Sequence, residues 1–285
     1  MGRFHRHPDG SVEHHDHAHD HDHAHDHDRA HDHDHAHDDS RDVGDHSGYE
    51  TNDLRVDVLE KILGENDRTA AANRQDFRDA GVTVVNVMSS PGAGKTTLLC
   101  EVFEQLRPEL RIGVVEGDIE TSIDADRLGA TGVPVALVNT SNGFGGECHL
   151  DATMVRSALH RLPLPELDLV VIENVGNLVC PAEFDVGEDA RLMVCSITEG
   201  EEKPLKYPVM FRSADAVAIN KIDLLPHLDF DLAAFEANLH DVNPAVTGIR
   251  TSARTGEGVT EICAWFRAAH AGRSAPPRTS LPLRP

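Results

Sequence analysis

The sequence is poor in several features that would assign it to a common functional class. It has no run approaching the roughly 18 apolar residues needed to cross a bilayer. Its N-terminus lacks the apolar centre of a secretory leader. Cysteine is scarce, with 5 residues at irregular spacing among 285, which excludes a disulfide framework and points to reduced thiols in the cytoplasm. Basic residues are few, 26 Lys and Arg against 49 Asp and Glu, for a net charge of −23. A general nucleic-acid binder carries the opposite footprint. Neither a nucleic-acid partner nor membrane insertion is expected.

Histidine, in contrast, is abundant and concentrated. "HHDHAHDHDHAHDHDRAHDHDHAHDD" fills positions 14 to 39 and holds His14, His15, His17, His19, His21, His23, His25, His27, His31, His33, His35 and His37. The first 50 residues carry 14 acids against 4 arginines, so about ten of the negative charges sit there. With almost no large apolar side chains, this stretch buries too little surface to offset its ordering entropy, and disorder is expected over 1–50. Neutral imidazoles on a flexible chain chelate divalent cations, and the interleaved aspartates lower the electrostatic cost of collecting them.

From Leu54 the pattern changes. Leu54, Val58, Leu59 and Ile62 fall on one helical face and Ala70 to Ala80 reads as a second helical stretch, a helical lead-in over 51–81. Seven short β-branched runs follow, at 82–88, 111–118, 134–140, 167–174, 191–198, 214–220 and 245–252. Amphipathic stretches near 95–107, 122–130, 150–161, 229–240 and 258–270 separate several of them. Buried strands alternating with helices imply an α/β domain over 82–272, a mostly parallel sheet with helices on both faces. Residues 273–285, rich in Pro and Arg, read as a disordered tail.

After the first strand stands "SSPGAGKTT", which matches G-x-x-x-x-G-K-[ST] except that Ser89 takes the first glycine position. The backbone of Gly92, Ala93, Gly94 and the start of the following helix at Lys95, Thr96 and Thr97 would turn N–H groups onto phosphates. Lys95 would reach the β- and γ-phosphates, and Thr96 would bind Mg²⁺. "NKID" at 220–223 follows a later strand. A carboxylate at Asp223 accepts both the N1–H and the 2-amino group of guanine, whereas adenine has no N1 donor. Asn220 is expected to read the guanine edge, and the Lys221 stem to pack along the base. Ser252 would support Asp223, and Ala253 would offer its N–H to O6. GTP and GDP are thus the expected ligands. Glu173, at the end of a buried strand, and Asp118, just past the second strand, are expected to act on Mg²⁺ or the attacking water. Gly176 would let the backbone approach a γ-phosphate. Thr121 and Asp124 lie where a switch segment is expected, although Asp124 and Asp126 read equally as helix N-terminal charge.

Cys148 beside His149, in "GGECHLDA", and Cys180, in "GNLVCPAEFD", fall in Gly- or Pro-flanked loops, unlike Cys100, Cys195 and Cys263 inside apolar stretches. Thiolate and imidazole suit Ni²⁺ and Zn²⁺. Three ligands are one short of a closed set, so a second subunit is expected to complete a metal site at a dimer interface.

"SSPGAGKTTLL", "ECHLDA", "IENVGNLVCPAEFDVGE", "NKIDLL" and "SARTGEG" together resemble the HypB family of hydrogenase nickel-incorporation GTPases, over about residues 52 to 272. The resemblance implies a dimerising GTPase of the SIMIBI class; with no obvious arginine finger or glutamine in the switch segment, slow GTP hydrolysis is expected, and the metal site is expected to close across a GTP-dependent homodimer. Such a protein helps load nickel into the large-subunit precursor of [NiFe]-hydrogenase, with a HypA-type metallochaperone as partner. Ser89 agrees with that family's own form of the phosphate loop. Some members carry a cysteine-rich N-terminal nickel motif, and "MGRFHRHPDG" has no cysteine. The histidine-rich stretch then reads as a nickel reservoir. The rival readings are a urease nickel chaperone GTPase, whose metal motif is Cys-Pro-His, and a nickel storage protein with incidental nucleotide binding.

Overall fold

The computed structural model describes residues 5–6, 12–13, 53–118, 122–140 and 148–272. The histidines of positions 14–37, Thr121 and the C-terminal segment from 273 lie outside these residues, as do the expectations that fall on them. Within the first fifty residues one antiparallel pair is described, β1 (His5–Arg6) with β2 (Val12–Glu13). The expectation of disorder over 1–50 did not include it; the sequence between the two strands contains Pro-Asp-Gly, which carries turn chemistry.

The rest of the chain forms a separate unit. It opens with α1 (Asp53–Ala80), a single 28-residue helix where two helical stretches were expected. Gly64, Asn66 and Asp67 have low helix propensity, but Asn66 and Asn73 make tertiary hydrogen bonds that outweigh it. Helix α1 ends at Gly81, which takes φ +75 while the Val82 N–H bonds back to the Phe77 carbonyl at 2.9 Å, a left-handed cap that favours glycine.

The elements that follow are β3 (Thr83–Ser89), α2 (Lys95–Leu106), β4 (Ile112–Asp118), α3 (Ile123–Ala130), β5 (Val135–Asn139), α4 (Ala152–Leu159), β6 (Leu169–Glu173), α5 (Cys180–Glu183) and β7 (Ala190–Ser196). Then come α6 (Lys203–Lys206), α7 (Pro208–Ser213), β8 (Ala216–Asn220), α8 (Leu232–Val242), β9 (Thr247–Arg250) and α9 (Val259–Ala271). All seven strands from β3 on pair in parallel, in the order β5-β4-β6-β3-β7-β8-β9. Each of the seven strands expected from sequence is present. The short α5, α6 and α7 were not expected, because a helix of one turn or two shows no 3.6-residue period.

Strand periodicity assigns the two faces of the sheet. Val85, Val87, Val114, Val171, Leu192, Val194 and Ala218 pack beneath α2, α3 and α9 with Leu98, Phe103, Leu128, Ile262 and Phe266. The alternate residues Val84, Val115, Val170 and Ile172 pack against α1 and α4 with Phe77 and Val155. Met193, Cys195, Val217 and Ile219 pack against α7 and α8 with Phe211 and Phe235. Both faces are covered, which is why these strands read as continuous apolar runs. The parity has a consequence for the site. Glu116, Asp118 and Glu173 share the parity of Val114 and Val171, so their side chains project to the face that carries α2 and the phosphate loop.

Candidate functional site

The loop between β3 and α2 turns through Gly92 at φ +74 and Gly94 at φ +92, both in the left-handed region. A Cβ on Gly94 would lie 2.7 Å from Asn220 Nδ2, so that position tolerates no side chain. Lys95 opens α2, where the helix dipole favours an anion. Its ammonium lies 2.5 Å from Oε1 of Glu173, and the Thr96 hydroxyl donates to the same oxygen at 2.6 Å. Thr97 Oγ1 accepts from Arg127 Nη2 at 2.8 Å. Ser89 sits at the strand end and is buried. Gly176 approaches the loop itself: a Cβ there would lie 3.1 Å from Pro91 Cα, so the segment after Glu173 lies directly on the phosphate loop.

Glu173 is fully buried, and its Oε2 has no hydrogen-bond partner. Glu116, its register partner on β4, is also buried with an unpartnered Oε2. Glu116 was not among the residues named from the sequence, because a single acid inside a buried β-branched run belongs to no motif. Burial, then the Glu173 and Asp118 carboxylates, push the Glu116 carboxyl up to about 8. Asp118 is half-buried at the end of β4. Glu116 and Glu173 thus stand side by side in register, with Lys95 and Thr96 on Glu173 and Asp118 at the end of the strand that carries Glu116. Asp124, in contrast, is in the first turn of α3 and pairs with Arg127 at 3.3 Å. Asp126 accepts from Ser122 Oγ at 3.1 Å, so both serve the helix N-terminus.

At the next strand end, Asp223 Oδ1 accepts from Ser252 Oγ at 2.7 Å, the support expected of Ser252. Lys221 is the one non-glycine residue with positive φ among those described, at +64, and its Nζ donates to the Gly92 carbonyl at 2.6 Å. Asn220 is buried; its Nδ2 donates to the Ala93 carbonyl at 2.9 Å, and its Oδ1 accepts from Ala253 N and Thr251 Oγ1, both at 3.3 Å. The amide thus ties the phosphate loop to the 251–253 turn, a bracing role that the motif alone does not indicate, and it uses one of its two N–H donors to do so. The Ala253 N–H, expected to face O6, points to Asn220 Oδ1 in the same brace.

Cys148, His149 and Cys180 do converge. Their ligand atoms all lie within 4.8 Å of one another. The two thiols are 2.8 Å apart, and His149 Nδ1 lies 3.8 Å from Cys148 Sγ. The His149 ring is buried against Phe184, centroids 4.0 Å apart. Burial and the neighbouring Cys148 thiol push the Cys180 thiol up to about 11. Two sulfurs and a nitrogen fit a borderline-soft cation such as Ni²⁺ or Zn²⁺, which would replace the thiol protons. The link to the nucleotide end is direct. Asn174, next to Glu173, accepts from Leu150 N at 3.0 Å, and Asn177 donates to the Cys148 carbonyl at 3.2 Å. Neither asparagine, nor Phe184, was singled out from the sequence, although all three lie within the quoted "IENVGNLVCPAEFD".

Comparison with known proteins is consistent with this geometry. The profile of the family described as "CobW/HypB/UreG, nucleotide-binding domain" matches residues 83–250. The chain is 52% identical over 211 residues to the hydrogenase maturation factor HypB of Azotobacter chroococcum mcd 1, covering 74% of this chain and 68% of that one. It is 45% identical over 225 residues to HypB of Escherichia coli K12, covering 79% and 76%. Among solved structures, HypB from Helicobacter pylori in complex with nickel aligns with a TM-score of 0.70 at 32% identity, over 76% of this chain and all of that one (100%). HypB from Archaeoglobus fulgidus aligns with a TM-score of 0.67 at 36% identity, over 73% and 99%.

Proposed function

We propose a function from one premise: this chain belongs to the CobW/HypB/UreG family, among its HypB hydrogenase maturation factors. It is a GTP-hydrolysing accessory protein that delivers nickel during the maturation of [NiFe]-hydrogenase. The observation that carries this reading is that Cys180 and Glu173 stand at two ends of one segment, with Gly176 between them against Pro91 of the phosphate loop. A nucleotide event at one end therefore reaches a metal ligand at the other through seven residues of chain.

The steps follow from the side chains. The phosphates of GTP draw the Lys95 ammonium and the backbone N–H groups of Gly92 to Thr97 onto themselves. Lys95 and Thr96 then leave Glu173, which is freed to orient the attacking water. Thr96 and Asp118 would hold Mg²⁺, which would supply charge neutralisation at the β- and γ-phosphates. Asp223, fixed by Ser252, accepts the guanine N1–H and 2-amino group, with the Lys221 stem alongside. Release of Glu173 and Gly176 pulls on Asn174 and Asn177, and through them on Leu150 and Cys148. Nickel is the cargo; Zn²⁺ fits the same donors.

Three protein ligands leave the site open, and a two-fold homodimer in the GTP state brings the same patch from each subunit face to face. A HypA-type metallochaperone and the hydrogenase large-subunit precursor are the corresponding partners, in the cytoplasm. The histidines of positions 14–37 serve as a nickel reservoir for this site. No helix among the described residues is long and apolar enough to cross a membrane.

Turnover of GTP and ATP, measured with purified protein, tests the nucleotide half of this reading: slow GTP hydrolysis with ATP ignored is expected, and equal rates refute it. Deleting residues 1–46 tests the reservoir. Most bound nickel should leave with the tail while GTP turnover persists, and hydrogenase maturation should fail chiefly when nickel is scarce.

A further inference from the structure

Helix α1 has no part in nucleotide chemistry, yet it buries two asparagines, and buried amides are costly unless every polar atom is paired. Asn66 and Asn73 are seven residues apart, two turns on one face of the helix. Asn66 Oδ1 accepts from Ala152 N at 2.9 Å, and its Nδ2 donates to the Asp185 carbonyl at 2.8 Å. Asn73 Nδ2 donates to the Ala152 carbonyl at 2.8 Å and to the Val186 carbonyl at 3.2 Å, and its Oδ1 accepts from Arg156 at 3.1 Å. All four backbone bonds therefore go to two segments of chain. One begins with Cys148 and His149 and reaches Ala152; the other begins with Cys180 and reaches Val186.

The same two segments meet a second time at the ligands themselves. Cys148 touches Cys180, and the His149 ring lies on Phe184, the residue before Asp185. Each end of the His149–Phe184 stack is thus followed, within three residues, by a backbone group that Asn66 holds. The second segment lies so close on α1 that a Cβ on Gly187, at φ +97, would fall 2.8 Å from the Ala70 carbonyl oxygen and 3.0 Å from Arg74 N. Arg74 adds an ion pair to Asp185 at 2.6 Å. An apolar helix face would suffice to cover β-strands and α4. Paired amides aimed at two backbones do something else: they fix how far along, and at what angle, one segment runs past the other.

We propose that Asn66 and Asn73 are positioning residues of the Cys148–His149–Cys180 site, through which helix α1 holds the two ligand-bearing segments in the register that brings their ligand atoms together. This rests on the reading of that cluster as a metal site. Groups that orient ligands from behind typically change metal affinity by about 10–100-fold when removed.

The test is a nickel(II) titration of the full-length protein, read at the thiolate-to-nickel charge-transfer absorption, to which tail imidazoles contribute nothing. Asn66→Ala and Asn73→Ala are each expected to weaken nickel binding at that band by about tenfold. GTP affinity of the metal-free protein should stay unchanged, since the two sites of change share no partner. Gly187→Ala sets a Cβ within 3.0 Å of the Ala70 carbonyl, Asn73 Cβ and Arg74 N, so it pushes the second segment off the helix while both amides remain, and it should have the same effect. Gln75→Ala, on the exposed side of α1 where it bonds only Asp79, should have none. If Asn73→Ala yields no folded protein, Asn66→Ala and Gly187→Ala decide the matter. Wild-type nickel affinity in those variants overturns the proposal. So does a parallel loss of nickel affinity, GTP affinity and melting temperature, because α1 would then only hold the fold. Absence of the band in the wild type removes the metal site itself, and this proposal with it.

Discussion

At the nucleotide end, Gly92, Gly94, Lys95 and Thr96 come from one short stretch and rest on a strand end, with Glu173, Asn220 and Lys221 bracing them from the ends of β6 and β8. At the metal corner, Cys148 lies in a loop and Cys180, expected in a loop too, opens α5, 32 residues on, with Asn177, Phe184 and the asparagines of α1 tying the two segments together. The first site is one contiguous loop pinned in place from other strand ends. The second has no contiguous core, and its side chains come from separate segments that also bond to the chain beside the phosphate loop. A protein that must grip GTP and let go of a metal benefits from that asymmetry, because the scaffold built from separate segments is the one whose ligands must move.

The harshest way to break the comparison is Lys95→Ala. It removes the charge-assisted bonds to the phosphates, and nucleotide affinity should fall by about 100-fold or more. It also leaves the fully buried Glu173 without its cation, and stripping one partner from a buried pair costs about 3–5 kcal/mol. Binding should therefore be measured by calorimetry well below a lowered melting temperature. The thiolate-metal band should be unaffected. If it disappears with the nucleotide, the two sites are not separately built.

Next in size is Cys180→Ala. Coupling free energies between sites typically correspond to about 5–150-fold in affinity, and they are reciprocal. A non-hydrolysable GTP analogue should shift nickel affinity of the tail-deleted wild type within that range, whereas the variant should bind nickel weakly and equally with GDP or the analogue. The same titration has a pH dependence of known sign. The Cys180 thiol titrates at about 11, so nickel must displace a proton there at any lower pH. Apparent affinity should fall by about tenfold per pH unit for each proton displaced. A wild type indifferent to nucleotide would remove the shared segment from the mechanism.

How much of this was legible before the structure follows the same asymmetry. The phosphate loop, Asp223 with Ser252, and all seven strands could be read because each is a contiguous pattern with its own chemistry or period. The three residues of the candidate metal site could be named from their residue types and sequence context. What holds them could not. Asn66 and Asn73 look like the solvated side of an amphipathic helix, and only tertiary contact turns them inward. The motif position of Asn220 points to the base, and only the structure shows that it also braces the phosphate loop from behind Gly94. Glu116 was hidden by the strand pattern around it.

A smaller change sharpens the nucleotide side. Asp223→Asn places an amide where guanine presents two donors, so GTP affinity should fall by about 1–3 kcal/mol, the cost of leaving buried polar groups unpaired. Xanthine nucleotides should gain by comparison, because their base edge presents an acceptor to the amide. Competition binding with both nucleotides measures the ratio. Unchanged preference would mean that selection lies elsewhere than in Asp223 and its Ser252 partner.

The smallest effect tests why the nucleotide end carries a buried acid with an oxygen that bonds nothing. Glu116 faces Glu173 and Asp118, with Lys95 as the nearby cation and Asp124 a more distant acid. Its carboxyl is raised from 4.5 to about 8, so the folded protein binds a proton that the unfolded chain releases above its ordinary value. The sign follows from linkage. Stability is full below pH 4.5, is lost as pH rises toward 8, and levels off above it. Glu116→Gln keeps the shape and removes the titration. Its melting temperature at pH 8.5 should exceed that of the wild type by roughly 2–4 °C for each kcal/mol recovered, with about 1 kcal/mol as the minimum expected. At pH 5 the two should melt together. A variant that melts like the wild type at both pH values would mean that Glu116 is ionised in the folded protein, with its charge carried by Lys95 in common with Glu173.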